Sequence, residues 1–560
     1  MKEYDSIIIG SGAGGLSAAI CLARAGQKVA VIEQHYVPGG WSHSFYIDGH
    51  RFSPGVHYIG LLDKGESTSD LYKGLGIAND LVFFRMNAKA YEHCWIGEDR
   101  IDLPADVSKL YKSLAERFPK EKKGIKKYLE LVQNVSRQLY LIPKMNGFWD
   151  NITIPYRTRH LGKYGLFSLK RVLGWHIKDA LLKRVLNIQC GDHGLPPSKA
   201  SFPLHCALMS HYFQGGFYPM GGGSAIVKAM TKAIKKYDGE IKTGKGVKRI
   251  LLEQKKQDNK FMAVGVELQN GEKFMAKTII SNTDPTATFN LVGLENLSKK
   301  LQAKLDRTRY SVTSLIFFLT VDMDVRKAGL DSGNIWTMPD CDMDTLFEDL
   351  AKEDILATDE FPSLFISCSS LKDPSSYNGR HHILEIVTFI DYDSFKLKLG
   401  NGEAETYEKL KGQLCKKLLN SIEKVVPGIK NNIVQLTLGT PVTNEHYIKS
   451  TKGNVYGTEK GFYQTGPFSY QAETEIENLY MCGASIMAHG VAGSSYSGVK
   501  TAAKILNCRE EDLIKPDEAQ NVRIYDAEDE TGWPQWLHQK IADKKRRAGV
   551  ELKKLSKVIE

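Results

Sequence analysis

Residues 5–33, DSIIIGSGAGGLSAAICLARAGQKVAVIE, are the part of this sequence that most constrains the fold. A short apolar run precedes Gly10, Gly12 and Gly15, which stand at G-x-G-x-x-G spacing. An Ala- and Leu-rich segment follows, and a second apolar run ends at Glu33. This order predicts a strand, a tight turn, a helix and a second strand that ends in an acid.

The residue types in this unit are those of a dinucleotide-binding site. One glycine allows the tight turn, one lets the backbone approach a diphosphate, and one lets the helix pack against the strand. The free amides at the helix N-terminus bind the diphosphate, and Glu33 can accept a hydrogen bond from a ribose hydroxyl. The alternative, a glycine-rich turn in an ordinary βαβ unit, does not explain the acid. We therefore predict a dinucleotide site here.

The residues after Glu33 indicate which dinucleotide binds. Pro38-Gly39-Gly40-Trp41-Ser42 forms a second loop beside the nucleotide, and its paired glycines suggest a backbone that lies close to a ligand. A nicotinamide-binding unit usually continues into another βαβ unit, whereas this chain leaves through residues 44–60, SFYIDGHRFSPGVHYIG. That departure favours FAD over NAD as the tightly held dinucleotide.

The composition describes a folded, basic protein. Of the 560 residues, 42% are apolar and 25% are charged, as expected of a soluble chain with a sizeable core. The net charge of +10 favours anionic partners, such as phospholipid headgroups, nucleic acid or phosphorylated cofactors. Composition alone does not choose among these three.

Cysteine spacing and hydropathy indicate the compartment. The nine cysteines include no C-x-x-C pair, so we expect neither a disulfide framework nor a metal site. The first strand begins within a few residues of Met1, which leaves no room for a signal peptide. No apolar run reaches about 18 residues, so we expect no transmembrane segment. The expected location is cytoplasmic, peripheral to a membrane.

Hydrophobic periodicity predicts further elements along the chain. Helices are predicted within 104–139, and a strand meander at 247–253, 261–268 and 274–281, with Asn270-Gly271 as a hairpin turn. The pattern in residues 286–470 predicts a second body of strands and helices that shapes a pocket. No residues in this stretch have the spacing of a catalytic motif. Residues 478–506 predict a strand, a glycine-rich loop and a helix that begins near residue 494, whose N-terminus would face an anionic part of the cofactor.

Two basic stretches are typical of a membrane interface. Residues 161–186 combine apolar residues at helical spacing with an almost purely basic remainder. The polar tail from Lys515 contains Trp533 and Trp536, followed by lysines and arginines that suit a headgroup layer. An ordinary core-packed helix and a solvated basic tail are the alternatives.

Four segments together carry a resemblance to a known family. They are GSGAGG at 10–15, PGGWSHSF at 38–45 with FSPGVHYIG at 52–60, ASFPLHCALMSHYFQGGFYPMGGGS at 200–224, and NLYMCGASIMAHGVAG at 478–493. The set closely resembles the flavoproteins grouped as phytoene desaturases, carotenoid isomerases and all-trans-retinol 13,14-reductases. GVHYIG and YPMGGGS are most similar to the retinol saturase branch, and the resemblance extends to about Leu506.

The resemblance implies an α/β fold of the amine oxidase and phytoene desaturase type. A discontinuous, Rossmann-like FAD-binding domain would comprise residues 1–60, 216–285 and 471–510. An interleaved α+β domain for substrate and membrane contact would comprise 61–215 and 286–470, followed by a basic C-terminal tail at 511–560.

The resemblance also implies which residues bind the cofactor. The adenosine and diphosphate half would be held by Gly10, Gly12, Ala13, Gly14, Gly15 and Glu33. Gly39, Gly40 and Trp41 would pass near the rest of the cofactor, Val247 near the adenine, and Gly483, Val491 and Ala492 near the ribityl chain and the flavin.

The implied activity is that of an FAD-dependent oxidoreductase acting on carbon–carbon double bonds of an isoprenoid, retinoid or carotenoid-like lipid. Flavin N5 exchanges a hydride, while the protein orients the polyene and excludes water. The net reaction would be saturation, desaturation or isomerisation, with NAD(P)H or a quinone as redox partner. We expect a hydrophobic polyene substrate, peripheral membrane contact and no nucleic-acid partner, and the sequence indicates no oligomeric state.

By motif position, the proton donors to consider are His43, His57, Tyr58 and His489, with His57, Tyr58 and His489 as the catalytic candidates. Each has the alternative of a structural hydrogen bond, and flavin chemistry at an alkene can proceed without a side-chain acid. His211 and Tyr212 could line a substrate tunnel.

Two other functions fit the same fold. One is an amine oxidase-like flavoenzyme. The other is a non-catalytic prenyl-lipid-binding protein that resembles GDP-dissociation inhibitors. Such proteins have lost the sequence features of the flavin-contacting loops, whereas this sequence retains them.

Overall fold

The computed structural model describes residues 2–141, 148–255, 260–352 and 354–559. Within these ranges the strands form two large sheets, a three-stranded sheet and a hairpin. The strands are β1 Lys2–Ile9, β2 Val29–Ile32, β3 Phe45–Ile47, β4 His50–Phe52, β5 Val82–Arg85, β6 Glu92–Ile96, β7 Asp99–Leu103, β8 Phe217–Pro219, β9 Glu240–Lys242, β10 Val247–Gln254, β11 Phe261–Leu268, β12 Lys273–Ser281, β13 Thr313–Val321, β14 Asn334–Met338, β15 Leu364–Cys368, β16 His382–Ile390, β17 Ile433–Gly439, β18 Leu479–Met481 and β19 Arg523–Asp526.

Helices connect and cover these sheets. They are α1 Ala13–Arg24, α2 Ser67–Gly74, α3 Val107–Arg117, α4 Lys122–Leu141, α5 Phe148–Arg157, α6 Arg159–Tyr164, α7 Leu169–His176, α8 Ala180–Asn187, α9 Phe202–His211, α10 Gly223–Lys236, α11 Pro285–Val292, α12 Lys299–Asp306, α13 Met343–Lys352, α14 Ser369–Lys372, α15 Tyr392–Leu399, α16 Ala404–Glu423, α17 Pro441–Ile448, α18 Gly490–Leu506, α19 Glu510–Leu513 and α20 Gln535–Ile559.

The first large sheet contains the glycine motif. Its strand order is β10-β11-β12-β1-β2-β9, and β18 pairs with the other end of β12. β1 runs parallel to β2 and β12, and β9 and β18 extend the parallel part, whereas β10 and β11 form an antiparallel meander. The strands therefore come from three separate stretches of the chain. The domain boundaries given above stay a prediction.

Both faces of the parallel part are covered, which explains its continuous apolar sequence. On one face, Ile8 and Val31 pack with residues of α1, α10 and α18. On the other face, Ile7 and Ile9 pack with residues of β10, β12 and α11. The meander and its Asn270-Gly271 turn are confirmed, and Gly271 adopts the positive φ of 84° that this turn requires.

The second large sheet has the order β17-β13-β16-β15-β14-β6-β7. All nine residues of β13 and all nine of β16 are buried, because the sheet is covered on both faces. Leu315, Phe317 and Leu319 pack with the apolar residues of α16, as period-2 alternation requires. Ile316 and Phe318 point to the opposite face and join a core cluster with residues of α3, α4, α7, α8 and α9.

Residues 161–186 form three short helices, α6 to α8, in place of one amphipathic stretch. Leu169, Val172 and Leu173 are buried in the main core, because the turns between the helices rotate successive apolar groups inward. Leu166 and Trp175 remain exposed, with exposed fractions of 73% and 52%. The stretch is therefore core on one side and an exposed apolar surface on the other.

The C-terminal segment corrects the expectation of a polar tail from residue 515. β19 pairs in parallel with β5 in the three-stranded sheet, and Trp533 is 8% exposed, with its ring 5.7 Å from that of Phe84. The prediction that both tryptophans lie in a headgroup layer is wrong for Trp533, because its side chain is part of a small core. Trp536 is 40% exposed.

The structure also shifts the start of one helix. α18 begins at Gly490, four residues before the expected start at residue 494, because the glycine-rich loop already adopts the helical turn. Among the described residues, no helix combines the length and the apolar character needed to cross a bilayer.

Packing between α1 and α18 makes a test of the fold possible. A Cβ added at Gly498 would lie 2.0 Å from the carbonyl oxygen of Gly14, so Gly498→Ala must push the two helices apart. We expect a loss of about 1–3 kcal/mol in the free energy of unfolding, the usual cost of overpacking. Chemical denaturation followed by circular dichroism measures it.

Gly412→Ala is the matched control, because Gly412 lies within α16 with no heavy atom within 4 Å of its added Cβ. This variant should gain about 0.5–1 kcal/mol from helix propensity. Equal effects of the two substitutions would contradict the packing described.

Candidate functional site

A cavity of about 480 Å³ opens at the carboxyl ends of the parallel strands of the first sheet. Gly10 follows β1, Glu33 follows β2, Asn282 follows β12, and Gly483 lies just after β18, and all four line the cavity. Ligands of open parallel sheets bind at this edge, outside the carboxyl ends of the strands. The topology therefore marks the cavity as the ligand site of this sheet.

Two helix N-termini point into the same cavity. Its walls include Gly12, Ala13 and Gly14 from the start of α1, and Gly490 and Val491 from the start of α18. The first amides of a helix have no partner within the helix, and they carry its positive partial charge. Two such ends in one cavity favour a ligand with anionic or hydrogen-bond-accepting groups at two places.

The glycines are required by close contacts around Asn282. An added Cβ at Gly12, Gly14 or Gly483 would lie 2.7 Å from an amide atom of the Asn282 side chain. The Asn282 backbone amide donates to the carbonyl oxygen of Ile9, which fixes the residue between the strand ends. Glycine is therefore the residue that fits at these positions around Asn282, and the absence of side chains lets a ligand approach the main chain there.

Glu33 organises the loops around the cavity. Its Oε2 accepts hydrogen bonds from the backbone amide of Ser11 at 2.9 Å and from the Ser11 hydroxyl at 2.6 Å, and its Oε1 accepts one from the amide of His35. The Ser11 hydroxyl also accepts a hydrogen bond from the amide of Gly39. The carboxylate thereby joins the glycine turn to the second loop. Glu33 is 7% exposed and lines the cavity.

The structure brings most of the predicted cofactor-binding residues to this one cavity. Those that line it are Gly10, Gly12, Ala13, Gly14, Glu33, Gly39, Gly40, Trp41, Val247, Gly483 and Val491. Gly15 does not line it and instead packs α1 against β1, since its Cβ would lie 2.3 Å from the Gly10 carbonyl oxygen. Ala492 is also absent from the lining. Their contact with a cofactor stays a prediction.

The candidate histidines and tyrosine do not all lie at the cavity. His489 lines the cavity, whereas His57, Tyr58 and His43 do not. The 52–60 segment runs beside β8, where Ile59 exchanges backbone hydrogen bonds with Phe217, and Gly55 is its member in the cavity lining. His57 Nδ1 is 3.7 Å from Glu385 Oε2 of β16.

His489 is a neutral imidazole in this position. Burial, with a further contribution from Lys460, lowers its pKa to about 3. Its Nε2 donates a hydrogen bond to the backbone carbonyl of Asp192, so the proton of the ring is already committed. His43 is similar, because burial lowers its pKa and Nδ1 donates to the carbonyl of Gly40. Neither histidine is suited to give up a proton at neutral pH.

Sequence reasoning missed several residues of the site. Asn282, Ser11, Tyr456 and Lys245 line the cavity, and only Asn282 had a visible signal, the apolar run TIIS that ends at it. Tyr456 lies 4.8 Å from the ring of His489 in a T-shaped contact. Lys460, behind this wall, donates to the carbonyl of Ala484 at 2.7 Å, and burial lowers its pKa to about 7.

Comparison with known proteins gives the family. Residues 13–506 match the family described as flavin-containing amine oxidoreductase. The chain is 28% identical to the all-trans-retinol 13,14-reductase of Danio rerio over 535 residues, which cover 90% of this chain and 86% of that protein. It is 27% identical to the chloroplastic prolycopene isomerase of Daucus carota, covering 90% of this chain and 80% of that protein. The resemblance seen in the sequence is confirmed.

Solved structures confirm the amine oxidase-type fold. An oxidoreductase from Methanosarcina mazei superposes with a TM-score of 0.57 at 16% identity, covering 90% of this chain and 100% of that chain. Putrescine oxidase bound to putrescine gives a TM-score of 0.57 at 15% identity, covering 90% and 99%. At these identities the likeness concerns the fold alone.

The residues present fit a flavin dinucleotide. The glycine cradle around Asn282 leaves backbone amides open to the cavity, the two helix N-termini supply donors at separate places, and Glu33 supplies an acceptor. These are the groups that a diphosphate, a flavin ring edge and a ribose need.

Proposed function

The chain belongs to the family of flavin-containing amine oxidoreductases, and on that premise we propose that it is an FAD-dependent oxidoreductase acting on carbon–carbon double bonds of an isoprenoid lipid. The observation that carries the proposal is the cavity with two helix N-termini and Glu33 at the ends of the parallel strands. When bound there, FAD supplies the exchange of two electrons with the substrate.

The residues of this chain hold the cofactor from both ends. Amides of Gly12 to Gly14 face the diphosphate position and the carboxylate of Glu33 accepts from the ribose, whereas Gly490 and Val491 offer amides to the flavin end. Tyr456 and His489 contact each other in the cavity wall, and the Tyr456 ring also lies 6.3 Å from that of Phe389 in β16 of the second sheet. This wall excludes water and orients the substrate.

The proposed substrate class rests on relatives and on the interior chemistry. Retinol and prolycopene, named in two relatives, are both conjugated isoprenoids. The core beyond the wall is aromatic and apolar, and it includes Phe52, Trp336, Phe365 and Phe389. An apolar polyene gains from burial in such surroundings.

We propose NAD(P)H or a quinone as the redox partner, because either can exchange two electrons with a flavin.

Anaerobic reduction and product analysis test this function. Purified protein is supplied with FAD, reduced anaerobically with NADH, NADPH or dithionite, and mixed with all-trans-retinol or prolycopene. We expect flavin reoxidation with a saturated polyene product, or isomerisation without net reoxidation. In a separate aerobic assay, oxidised enzyme mixed with putrescine should release no peroxide. Desaturation is tested with oxidised flavin, a saturated isoprenoid and a quinone. Peroxide from putrescine with no change in any isoprenoid would instead make the protein an amine oxidase, and failure to bind FAD would refute the proposal.

We also propose that the protein docks on an anionic membrane through an aromatic patch made of Tyr156, Tyr164, Leu166, Phe167 and Trp175. Leu166 and Tyr156 are each 73% exposed. Arg171 lies 5.1 Å from the ring of Phe167, and Lys163 lies 5.0 Å from that of Tyr164. Apolar side chains next to cations suit the boundary between acyl chains and headgroups.

Flotation with liposomes tests the docking patch. Wild-type protein should float with vesicles that contain phosphatidylserine at low salt, and high salt should release it. The double variant Leu166→Ser, Trp175→Ser should float at least several-fold less. Leu397→Ser is the matched control, since Leu397 is 79% exposed on α15, outside the patch, and it should float like wild type. Equal flotation of all three proteins would contradict the assignment of this patch.

A further inference from the structure

A group of titratable residues, most of them buried, lies at and behind the cavity wall. Asp192 is at its centre. The Tyr58 hydroxyl donates to Asp192 Oδ2 at 2.6 Å, and the Asp192 backbone carbonyl accepts the hydrogen bond from His489, which lines the cavity. Asp192 is therefore one residue away from the cofactor cavity, on the side of the second sheet.

The surroundings of Asp192 are aromatic and contain no cation in hydrogen-bond contact with it among the described residues. The Tyr58 ring stacks on that of Tyr212 at 4.2 Å, and Trp336 packs against Gly191. The titratable groups that face Asp192 are Tyr58, Tyr91, Glu92, Cys190, Tyr212, Tyr456 and, through its backbone carbonyl, His489. All of them are mainly uncharged at neutral pH, because burial raises the pKa of the phenols, of the thiol and of Glu92, the last to about 8, and lowers that of His489.

We propose that Asp192 is the catalytic acid and base of the reaction, the group that gives a proton to the substrate double bond and takes it back in the reverse direction. This inference rests on the proposed function and names the residue that completes it. As a whole residue Asp192 is only partly buried, whereas Glu92 beside it is fully buried, and the Asp192 backbone contacts His489 of the cavity wall.

The other groups nearby are less suited to this task. Glu92 is fully buried and bonded to Asn334, so a substrate cannot reach it. Tyr58 has a pKa raised well above 10 and its hydroxyl proton is held by Asp192. His489 is neutral and its ring proton is held by the Asp192 carbonyl. Burial raises the pKa of Asp192 itself to about 7, so both of its protonation states are populated near neutral pH.

The step balances in the saturating direction. The O–H bond of the Asp192 carboxyl breaks as a C–H bond forms on one alkene carbon, while the other alkene carbon receives two electrons and one hydrogen nucleus from the reduced flavin. The alkene is reduced, the flavin is oxidised, and Asp192 is left as a carboxylate that water reprotonates. In the desaturating direction the carboxylate accepts the proton.

Asp192→Asn tests the inference first without turnover. The pKa of Asp192 is about 7 in the folded chain against an ordinary 3.8, so its stabilising contribution is complete below pH 3.8 and is lost as pH rises through 7. Asn does not titrate. The variant should therefore gain stability over wild type progressively from pH 4 to pH 7 in chemical denaturation. A difference that does not change over this range would overturn the proposal.

Tyr58→Phe keeps the ring on Tyr212 but removes the hydroxyl that lowers the pKa of Asp192. In this variant the Asp192 carboxyl should titrate at higher pH than in wild type. The midpoint is measured from the pH dependence of the difference in unfolding free energy between Tyr58→Phe and the double variant Tyr58→Phe, Asp192→Asn. An unchanged midpoint would show that the two groups are not coupled as described, and would overturn the assignment.

Single turnover of dithionite-reduced enzyme with a polyene in D2O gives the second measurement. Asp192→Asn should keep the bound-flavin spectrum and its reduction by dithionite but transfer to the alkene at least about 100-fold more slowly. Wild-type product should carry a deuterium at each of the two alkene carbons, because the N–H of a reduced flavin exchanges with D2O as the carboxyl proton does. A near wild-type rate in Asp192→Asn would overturn the proposal. If wild type itself turns over no polyene, the proposed function fails, while the pH titration still decides whether Asp192 is protonated at neutrality.

Discussion

The close packing of α1 on α18 is the constraint on which the site depends. Gly14 and Gly498 meet at a distance that admits no Cβ, so the two helices approach backbone to backbone. Their N-termini then lie side by side at the carboxyl ends of parallel strands, although some 480 residues of chain separate them. Neither helix alone would bind a ligand at two places. The electrostatic character of the cavity is thus a consequence of small side chains in a helix contact.

The buried ammonium of Lys372 connects the 52–60 segment to the second sheet. Lys372 is fully buried, and its ammonium donates to the His57 carbonyl, to Asn334 and to Ser367, which joins the 52–60 segment to the second sheet. Burial lowers the pKa of Lys372 to about 8, so the charge carries a desolvation cost that these three bonds offset. A rigid connection of this kind keeps Tyr58 and Asp192 at a fixed position behind the cavity wall.

The sequence predicts what short-range sterics and periodicity control. The glycine turn, Glu33 and the 247–281 meander are local patterns, and the structure has the turn and the meander where the patterns place them. The position of Asn282 inside the glycine cradle is not local, since it needs the parallel pairing of β12 with β1. Trp533 is misassigned for the same reason, because its partner Phe84 lies some 450 residues away in the chain. Asp192 has no motif, and only the fold places it beside Tyr58.

Titration with FAD and with two of its fragments, ADP and FMN, tests the central claim most directly. Apoprotein is titrated with FAD, ADP and FMN under identical conditions, and the dissociation constants are compared. If the cavity holds the cofactor at both helix N-termini, FAD should bind at least 100-fold more tightly than either ADP or FMN. FAD affinity equal to that of ADP would show that the α18 end contributes nothing, and this result would contradict the account.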